Sequence, residues 1–543
     1  MRPRGGGVIL LFAPAVTLLF TPNLTYEPFV DIKLLVLGVC AGIAFVQIFD
    51  HLREFGTSGV EPQLIVGLAF LCSLFIPVFF AESPFSQQLY GIGGRYLGFL
   101  HYFFLLCLFI SFSLKNVREV RQDFLNLLIL TGICESTYSL IQFLNLDPIH
   151  WENEYNWVFG TFGNPNFLST FVALSMSANL FSLFNNTKIK WKLINLSGLF
   201  LGIFSLISAG SIQGFVLISI SIFLLLLIKT SKNSPKVGLF IFSGGVTASI
   251  FFVFGLLKVG PLAKYLYQES TAFRGDYWRA GMSMAKDHIL TGVGLDSYGD
   301  FYRQYRDISA VERRGLDNFA DSAHNIFIDM AANGGLFLLI SYCLLIVLVF
   351  INIYLSYKKS KQFNTEEISL VVIWFGFQIQ TVISINVSSI AVWGWIAGGL
   401  IISKNSKIPH GLSSRGKFSR SSKIKRRARF VSKVSGSLVF ALLVMPIFLV
   451  DIQIAKVLSG NSSSNLRKLS FAWPNNCAFR VKAAEAYFAA GDLKNSLEIS
   501  QFSIKHNPRC FESYKSIYTN PRASLQLKNE AYQEMLKLDP LFR

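Results

Sequence analysis

The chain has 543 residues, of which 52% are hydrophobic and 15% are charged, and its formal net charge at pH 7 is +18. Together with a mean hydropathy of +0.45, this composition excludes a soluble globular protein of ordinary type. The composition instead predicts an all-α fold, a polytopic bundle of membrane helices with 1–455 as the membrane domain.

The apolar stretches give an approximate count of membrane spans, because a helix needs about 20 apolar residues to cross a bilayer core. Candidate spans, about 12 or 13 on that criterion, lie at 7–22, 29–49, 62–80, 96–114, 123–144, 166–186, 191–209, 212–229, 237–258, 335–356, 367–385, 389–403 and 434–455. The first and the twelfth of these stretches are short.

Lysine and arginine fall in alternate loops between these stretches, and loops of that kind stay in the cytoplasm. The segment 404–433 carries eleven basic residues and no acidic ones. Beside a membrane span, such a run is more typical of contact with anionic lipid headgroups than of nucleic-acid binding. The pattern predicts a bacterial inner-membrane protein with 404–433 inside, and with the loop 259–323 and everything after 455 outside.

The large exported loop, 259–323, ends beside His324, a titratable imidazole at the edge of an apolar segment. The loop also contains six arginines: Arg274, Arg279, Arg303, Arg306, Arg313 and Arg314. A base beside a cationic loop indicates an anionic, lipid-borne substrate. A histidine that merely caps a helix at the membrane interface is the alternative interpretation.

The tail from 460 to 543 has a different pattern. Pro474, Pro508 and Pro540 recur 34 and 32 residues apart, close to the 34-residue period of tetratricopeptide repeats. We expect a small helical-repeat domain that docks a macromolecule, with a generic helical hairpin as the alternative. Cys477 and Cys510 both lie in this tail, and the sequence leaves open whether they pair.

Several motifs on the exported side resemble the O-antigen ligase and polymerase superfamily. In that family His-Asn opens a helix and a glycine follows, as His324-Asn325 and Gly335 do here. Further segments resemble the family in the same order: Gly93-Gly94-Arg95-Tyr96-Leu97-Gly98, Gly160-Thr161-Phe162-Gly163-Asn164-Pro165-Asn166-Phe167, Arg274-x-x-x-Trp278-Arg279 and Gly292-Val293-Gly294. The resemblance covers most of 60–400.

Two positions depart from the family pattern. Leu338 stands where relatives usually have Gly, Thr or Tyr. Many relatives also carry Ser-Arg-Gly at the start of the eighth span, whereas this chain reads Ser211-Ile212-Gln213-Gly214. Gln213 can donate hydrogen bonds to a phosphate but cannot neutralise its charge.

The resemblance implies transfer of a glycan from a polyprenyl diphosphate to an acceptor hydroxyl, without a metal or cofactor. We assign His324 as the general base and Asp321 as the residue that orients its ring if the helix begins that early. We expect Arg95, Arg274 and Arg279 to clamp the pyrophosphate, because guanidinium groups match phosphate oxygens; solvated loop charges are the alternative. The predicted substrate-binding set also includes Asn325 and Gln213.

These residues do not distinguish a ligase, which moves the glycan to a lipid-, wall- or protein-borne acceptor, from a polymerase of lipid-linked repeats. An exported docking tail favours the ligase and predicts a protein partner. A transporter is the competing class, but transporters place ionisable groups near the bilayer midplane. Glu135 is the clearest such group within the predicted spans. Membrane lipids are expected partners, and nucleic acid is not.

Overall fold

The computed structural model describes residues 7–56, 61–114, 118–151, 157–185, 188–266, 269–360, 363–404, 420–460, 463–474 and 477–542. Across these ranges every regular element is a helix, which confirms the all-α class. Nine of the described helices are long and apolar enough to span a membrane, and three shorter apolar helices accompany them: Phe99–Ser113, Ile212–Ile228 and Ser388–Ser403. The chain is a multi-pass membrane protein.

The helices follow one another in four groups. Before the large loop come α1 (Gly7–Leu10), α2 (Phe12–Leu18), α3 (Asp31–Phe55), α4 (Pro62–Phe80), α5 (Phe85–Tyr90), α6 (Phe99–Ser113), α7 (Arg118–Phe143), α8 (Pro165–Asn185), α9 (Ile189–Ser208), α10 (Ile212–Asn233) and α11 (Pro235–Leu256). The loop contains α12 (Ala263–Leu266), α13 (Glu269–Asp287), α14 (Tyr298–Tyr305) and α15 (Ile308–Arg314). Next come α16 (Ile326–Ser360), α17 (Thr365–Ile383), α18 (Ser388–Ser403) and α19 (Arg420–Gly460). The tail contains α20 (Ser463–Ser470), α21 (Cys477–Ala489), α22 (Leu493–His506), α23 (Phe511–Thr519) and α24 (Leu525–Leu538).

The first predicted span, 7–22, is wrong as a single membrane-crossing helix. The helix α2 covers seven residues and ends at Leu18. Even with α1 before it, the helical stretch Gly7–Leu18 rises only about 17 Å, roughly half of the bilayer core. The basic segment 404–433 is described only in part, because 405–419 lies outside the described residues. From Arg420 onward that segment belongs to α19.

The centre of the bundle is formed by α6 and α18. Every side chain of α18 is buried, and α6 is buried along almost its whole length. Helices that are apolar all round pack in the interior of a bundle. Around this centre, α19 runs along α3 at close range: a Cβ on Gly42 would lie 2.4 Å from the carbonyl oxygen of Gly436. Small residues permit that approach.

A break in α16 anchors the large loop to the membrane domain. Gly335 has a backbone conformation of φ 74° and ψ −173°, so the helix is interrupted there. A Cβ at Gly335 would lie 2.5 Å from the carbonyl oxygen of Leu290. Backbone N–H groups donate across the break in three hydrogen bonds: Val293 to the carbonyl of Ala332 (2.8 Å), Gly294 to that of Asn333 (3.0 Å), and Leu336 to that of Ile289 (2.7 Å).

The tail contains two helix pairs, α21 with α22 and α23 with α24. A disulfide joins Cys477 to Cys510, whose Cα atoms are 5.9 Å apart. The structure thus answers the question that the sequence left open. Whether these helices are tetratricopeptide repeats stays a prediction.

The tail is docked on the large loop through charged contacts. Arg306 donates to Asp539 (2.5 Å), and only 1% and 0% of these two side chains are exposed. Arg303 pairs with Glu512 (2.6 Å). Further contacts surround them: Asn507 donates to Asp300 (3.0 Å), the guanidinium of Arg509 stacks 3.5 Å from the ring centroid of Phe301, and Lys515 pairs with Asp317 (3.1 Å). The tail and the loop therefore form one continuous surface.

Asp539→Asn should destabilise this contact, because it leaves the buried Arg306 cation without a counter-charge. Removing one partner of a buried ion pair costs about 3 kcal/mol or more. We expect a lower unfolding temperature of the purified protein and faster proteolysis of the tail. The matched control is Glu498→Gln, in the exposed Arg467–Glu498 pair (2.8 Å), which should cost at most about 1 kcal/mol. Equal effects of the two changes would contradict the prediction.

Candidate active site

His324 lies in a turn just before α16, and its backbone is left-handed, with φ 53°. The Asp329 carboxylate accepts hydrogen bonds from Ser322 Oγ (2.8 Å) and from the N–H of Ala323 (2.8 Å). Ser322 Oγ in turn accepts a bond from the N–H of His324 (2.9 Å). A left-handed residue other than glycine is strained and persists only where its surroundings hold it. Asp329 supplies that restraint, and the sequence analysis did not identify it.

Asn325 caps the helix that follows. Its Oδ1 accepts hydrogen bonds from the N–H groups of Phe327 (3.0 Å) and Ile328 (3.3 Å), as N-cap residues do. The contact to substrate predicted for Asn325 therefore depends on its remaining amide nitrogen. Because α16 begins at Ile326, Asp321 is not part of this helix.

A second turn brings Arg95 to the same place. The Asp296 carboxylate accepts hydrogen bonds from the N–H groups of Ile92 (2.8 Å) and Leu97 (3.1 Å), on either side of Arg95. Arg95 Nη2 pairs with the Asp321 carboxylate at 2.5 Å. Asp321 thus contacts an arginine, and its predicted role in orienting the His324 ring stays a prediction.

One cavity collects three of the predicted residues. It has a volume of about 410 Å³, and its walls include His324, Arg95 and Arg274. The ring of Tyr277 stacks on that of His324, with centroids 5.6 Å apart. The other residues that line the cavity are Glu27, Phe29, Val30, Lys33, Gly94, Phe162, Gly163, Asn164, Asn166, Phe167, Ser384, Ile385, Val387, Ser388 and Ser389. Its size falls within the range of small-molecule sites.

Two guanidinium groups at this cavity keep unused donors. Arg274 is half-buried, and no described residue accepts a hydrogen bond from it. Arg95 Nη1 is buried and has no partner among the described residues either. Unpaired buried donors are costly in a folded protein. Their convergence is therefore typical of an anion-binding site.

The electrostatic surroundings keep His324 neutral. Burial is the main cause that lowers the pKa of His324 to about 4, and the positive charge of Arg95 lowers it further, against an opposing effect of Asp321. A lowered pKa means that the imidazole is uncharged at neutral pH and has a free lone pair. The residue is therefore in the protonation state that a general base requires.

The other loop arginines are occupied elsewhere. Arg279, predicted as part of the clamp, donates to Asp276 (2.5 Å) and Asp307 (2.5 Å) and does not line the cavity. Arg313 also pairs with Asp276, and Arg314 donates to Tyr277 Oη. With Arg303 and Arg306 bound to the tail, Arg274 is the loop arginine that lines the cavity.

Gln213 lies near the cavity without lining it. It is buried at the start of α10, and its Nε2 has no partner among the described residues. Nearby, Ser211 Oγ donates to Asn166 Oδ1 (2.7 Å), and Asn166 does line the cavity. The predicted contact of Gln213 with substrate stays a prediction.

Two charged residues within apolar spans hold the Gly160–Phe167 motif. Lys33 Nζ donates to the Thr161 carbonyl (2.5 Å), while Glu135 accepts from the N–H (2.7 Å) and the hydroxyl (2.8 Å) of Thr161. Ionisable residues in membrane spans usually have a function. This rule drew attention to Glu135 in the sequence, and it would also have identified Lys33 had it been applied there.

Over the described ranges, no group of three or more His, Cys, Asp or Glu side chains could hold a metal ion.

Comparison with known protein families identifies the region that carries these features. Residues 197–343 match the family model described as O-antigen ligase. The chain has an O-antigen ligase domain. This confirms the predicted superfamily and indicates a membrane glycosyltransferase of the O-antigen ligase or polymerase type. The matched segment of the O-antigen ligase domain includes His324, Arg274 and Gln213 but not Arg95 or the tail. No curated protein sequence matches the chain.

The geometry predicts different effects for two neighbouring arginines. Arg274→Ala, and also Arg274→Lys, should reduce glycan transfer by about tenfold or more, because a planar guanidinium at the cavity is lost. Arg279→Ala, five residues along α13, is the matched control and should leave the rate within about threefold, because Arg279 does not line the cavity and Arg313 still pairs with the buried Asp276 carboxylate. The measurement is transfer by the purified variants. A larger loss for Arg279→Ala than for Arg274→Ala would remove Arg274 from the clamp.

Proposed function

We propose that this protein transfers a glycan from a polyprenyl diphosphate to an acceptor hydroxyl on the extracytoplasmic side of the membrane. His324 takes the proton of the hydroxyl, and the acceptor oxygen forms a bond to the anomeric carbon of the donor sugar. The bond from that carbon to the diphosphate oxygen breaks, and the polyprenyl diphosphate leaves with the electron pair. Arg95 and Arg274 stabilise its growing negative charge.

The unused donors of Arg274 and Arg95 beside a neutral His324 carry this proposal. The leaving diphosphate needs guanidinium donors that are still available. Arg274 makes no ion pair to the described residues, and Arg95, although its Nη2 pairs with Asp321, keeps a buried Nη1 without a partner among them. The positive charges of Arg95 and Arg274 would also disfavour protonation of His324 before the acceptor binds. The cavity thus combines a base with an anion site, as the reaction requires.

The docked tail favours ligation over polymerisation. It binds the same loop that carries Arg274, through the Arg306–Asp539 and Arg303–Glu512 pairs. A module docked on that loop suits a large acceptor such as a lipid-, wall- or protein-borne molecule. A polymerase instead joins two copies of the same lipid-linked repeat, for which a separate docking module has no evident use.

His324→Ala should abolish transfer while leaving the protein inserted, because a half-buried ring at the edge of a span fills little of the core. General-base catalysis typically contributes about 10²- to 10⁴-fold, so the expected loss is at least about a hundredfold. The measurements are transfer by purified protein and the glycan profile of cells that carry only this variant.

The profile also distinguishes the two reactions. Long polymer that accumulates on its lipid carrier indicates a ligase, whereas single repeats on the carrier indicate a polymerase. Wild-type transfer by folded His324→Ala protein would end the assignment of the base. An unchanged profile in cells that lack the protein would contradict both reactions.

The proposed sidedness rests on the alternating basic loops and on the Cys477–Cys510 disulfide, since disulfides persist in oxidising compartments. With the five unpaired cysteines replaced, a cysteine at Ile308 or Leu525, both exposed, should react with a membrane-impermeant thiol reagent in spheroplasts. A cysteine at Ser413 should react only after the membrane is opened. Labelling of Ser413→Cys in intact spheroplasts would invert this topology.

A further inference from the structure

Glu27, in the segment between α2 and α3, is held firmly beside the candidate active site. Its N–H donates to the carboxylate of Asp451 in α19 (2.9 Å). Its own carboxylate lies against Gly94, where an added Cβ would be 3.3 Å from Glu27 Oε2. The glycine just before Arg95 therefore leaves room for this carboxylate.

Glu27 lines two neighbouring cavities. It lines the cavity that contains His324 and Arg95, and among the described residues that line this cavity it is the only one with a carboxylate. On its other side it lines a narrower cleft of about 90 Å³ between the membrane domain and the tail. Tyr26, Tyr90, Asp451, Phe479 and Lys482 are among the walls of that cleft.

The Glu27 carboxylate has no partner in the described part of the chain: no hydrogen bond or ion pair reaches its oxygens. The nearby Lys482 donates its hydrogen bond to Tyr26 Oη instead. An unpaired carboxylate would repel the donor diphosphate, so Glu27 does not suit the anion site. Sugar hydroxyls are neutral donors, and their bonds to a carboxylate are about twice as strong as bonds between neutral groups.

We propose that Glu27 binds the acceptor, accepting hydrogen bonds from hydroxyls of an acceptor sugar that reaches the cavity along the cleft beside the tail. This inference rests on the proposed glycan transfer and assigns the acceptor side of the same site. Arg95 and Arg274 hold the donor diphosphate, and Glu27 orients the acceptor sugar so that its reacting hydroxyl lies next to His324. Glu27 is thus a binding residue and does not replace His324 as the base.

The charges around Glu27 make this contact sensitive to pH. Burial, and then the negative charge of Asp451, raise the pKa of Glu27 to about 7, while Lys482 lowers it. Asp31 of α3 interacts electrostatically with Glu27, and Arg95, Lys33 and His324 share the cavity. With its pKa raised to about 7, the Glu27 carboxyl is half ionised near that pH and becomes fully charged only at higher pH. Acceptor binding should therefore strengthen as pH rises through that value.

The test measures the KM for acceptor, the KM for donor and kcat with purified protein. The probes are lipid-linked glycan and acceptor purified from cells that lack the protein. Glu27→Gln removes the charge and should raise the KM for acceptor about tenfold, with the KM for donor and kcat within about twofold. The matched control is Glu498→Gln, the same change from carboxylate to amide at an exposed position in the tail. It should change neither KM value and should leave kcat unchanged.

A second variant tests the same contact without altering Glu27. Lys482→Met removes a charge that lowers the pKa of Glu27. The fall in the acceptor KM with rising pH should therefore move to higher pH, and Glu27→Gln should lack this pH dependence. A role in folding alone would not produce that shift, and it remains measurable if Glu27→Gln protein is unstable.

The outcomes separate this inference from the proposed function. If His324→Ala is inactive but Glu27→Gln leaves the KM for acceptor unchanged, or raises only the KM for donor, the assignment of Glu27 is wrong and glycan transfer stands. An unshifted pH profile in Lys482→Met would also overturn it. If folded His324→Ala protein is active, the proposed base itself fails.

Discussion

The break in α16 at Gly335 is the constraint on which the arrangement of the large loop and the candidate active site depends. Interrupting a helix frees backbone groups that a membrane cannot satisfy, so protein must bond to them. Here the stretch Ile289–Gly294 does so, which fixes the end of α13 and the turn that follows. That turn carries Asp296, whose carboxylate holds the Arg95 loop, and the short helical segment before the break carries Asp329, which holds His324. One irregularity of α16 therefore positions both His324 and Arg95, the proposed base and part of the proposed clamp.

Most arginines of the large loop are paired with acidic residues. Arg279 and Arg313 share the Asp276 carboxylate, and Arg303 and Arg306 bind acidic residues of the tail. These ion pairs fix the conformation of the loop, and they neutralise the charges of these four arginines. Because its neighbours are neutralised, Arg274 stands out at the cavity as the loop arginine with no ion pair to any described residue. The contacts of Arg303 and Arg306 also join the tail to the loop that carries Arg274.

Much of this could be predicted from local sequence. Apolar stretches of about 20 residues predict spans because backbone groups in lipid must bond internally. His324-Asn325 and Gly335 mark a helix start and a helix break, because Asn caps helices and glycine alone tolerates the φ of 74° found there. The stretch 7–22 was misjudged because hydropathy measures apolar content and does not detect the interruption after Leu10.

The sequence by itself determined the class of fold, the superfamily and the motifs that supply His324, Arg95 and Arg274, because these depend on composition and short spacing. Only the tertiary structure decided which charges remain free. Arg274 and Arg279 are equivalent in the sequence, yet one faces a cavity and the other is bound by two carboxylates. Glu27 carried no signal, since its place beside Arg95 depends on α19 and on the tail, more than 400 residues away. Charge neutralisation is a long-range property of packing, and a linear pattern does not contain it.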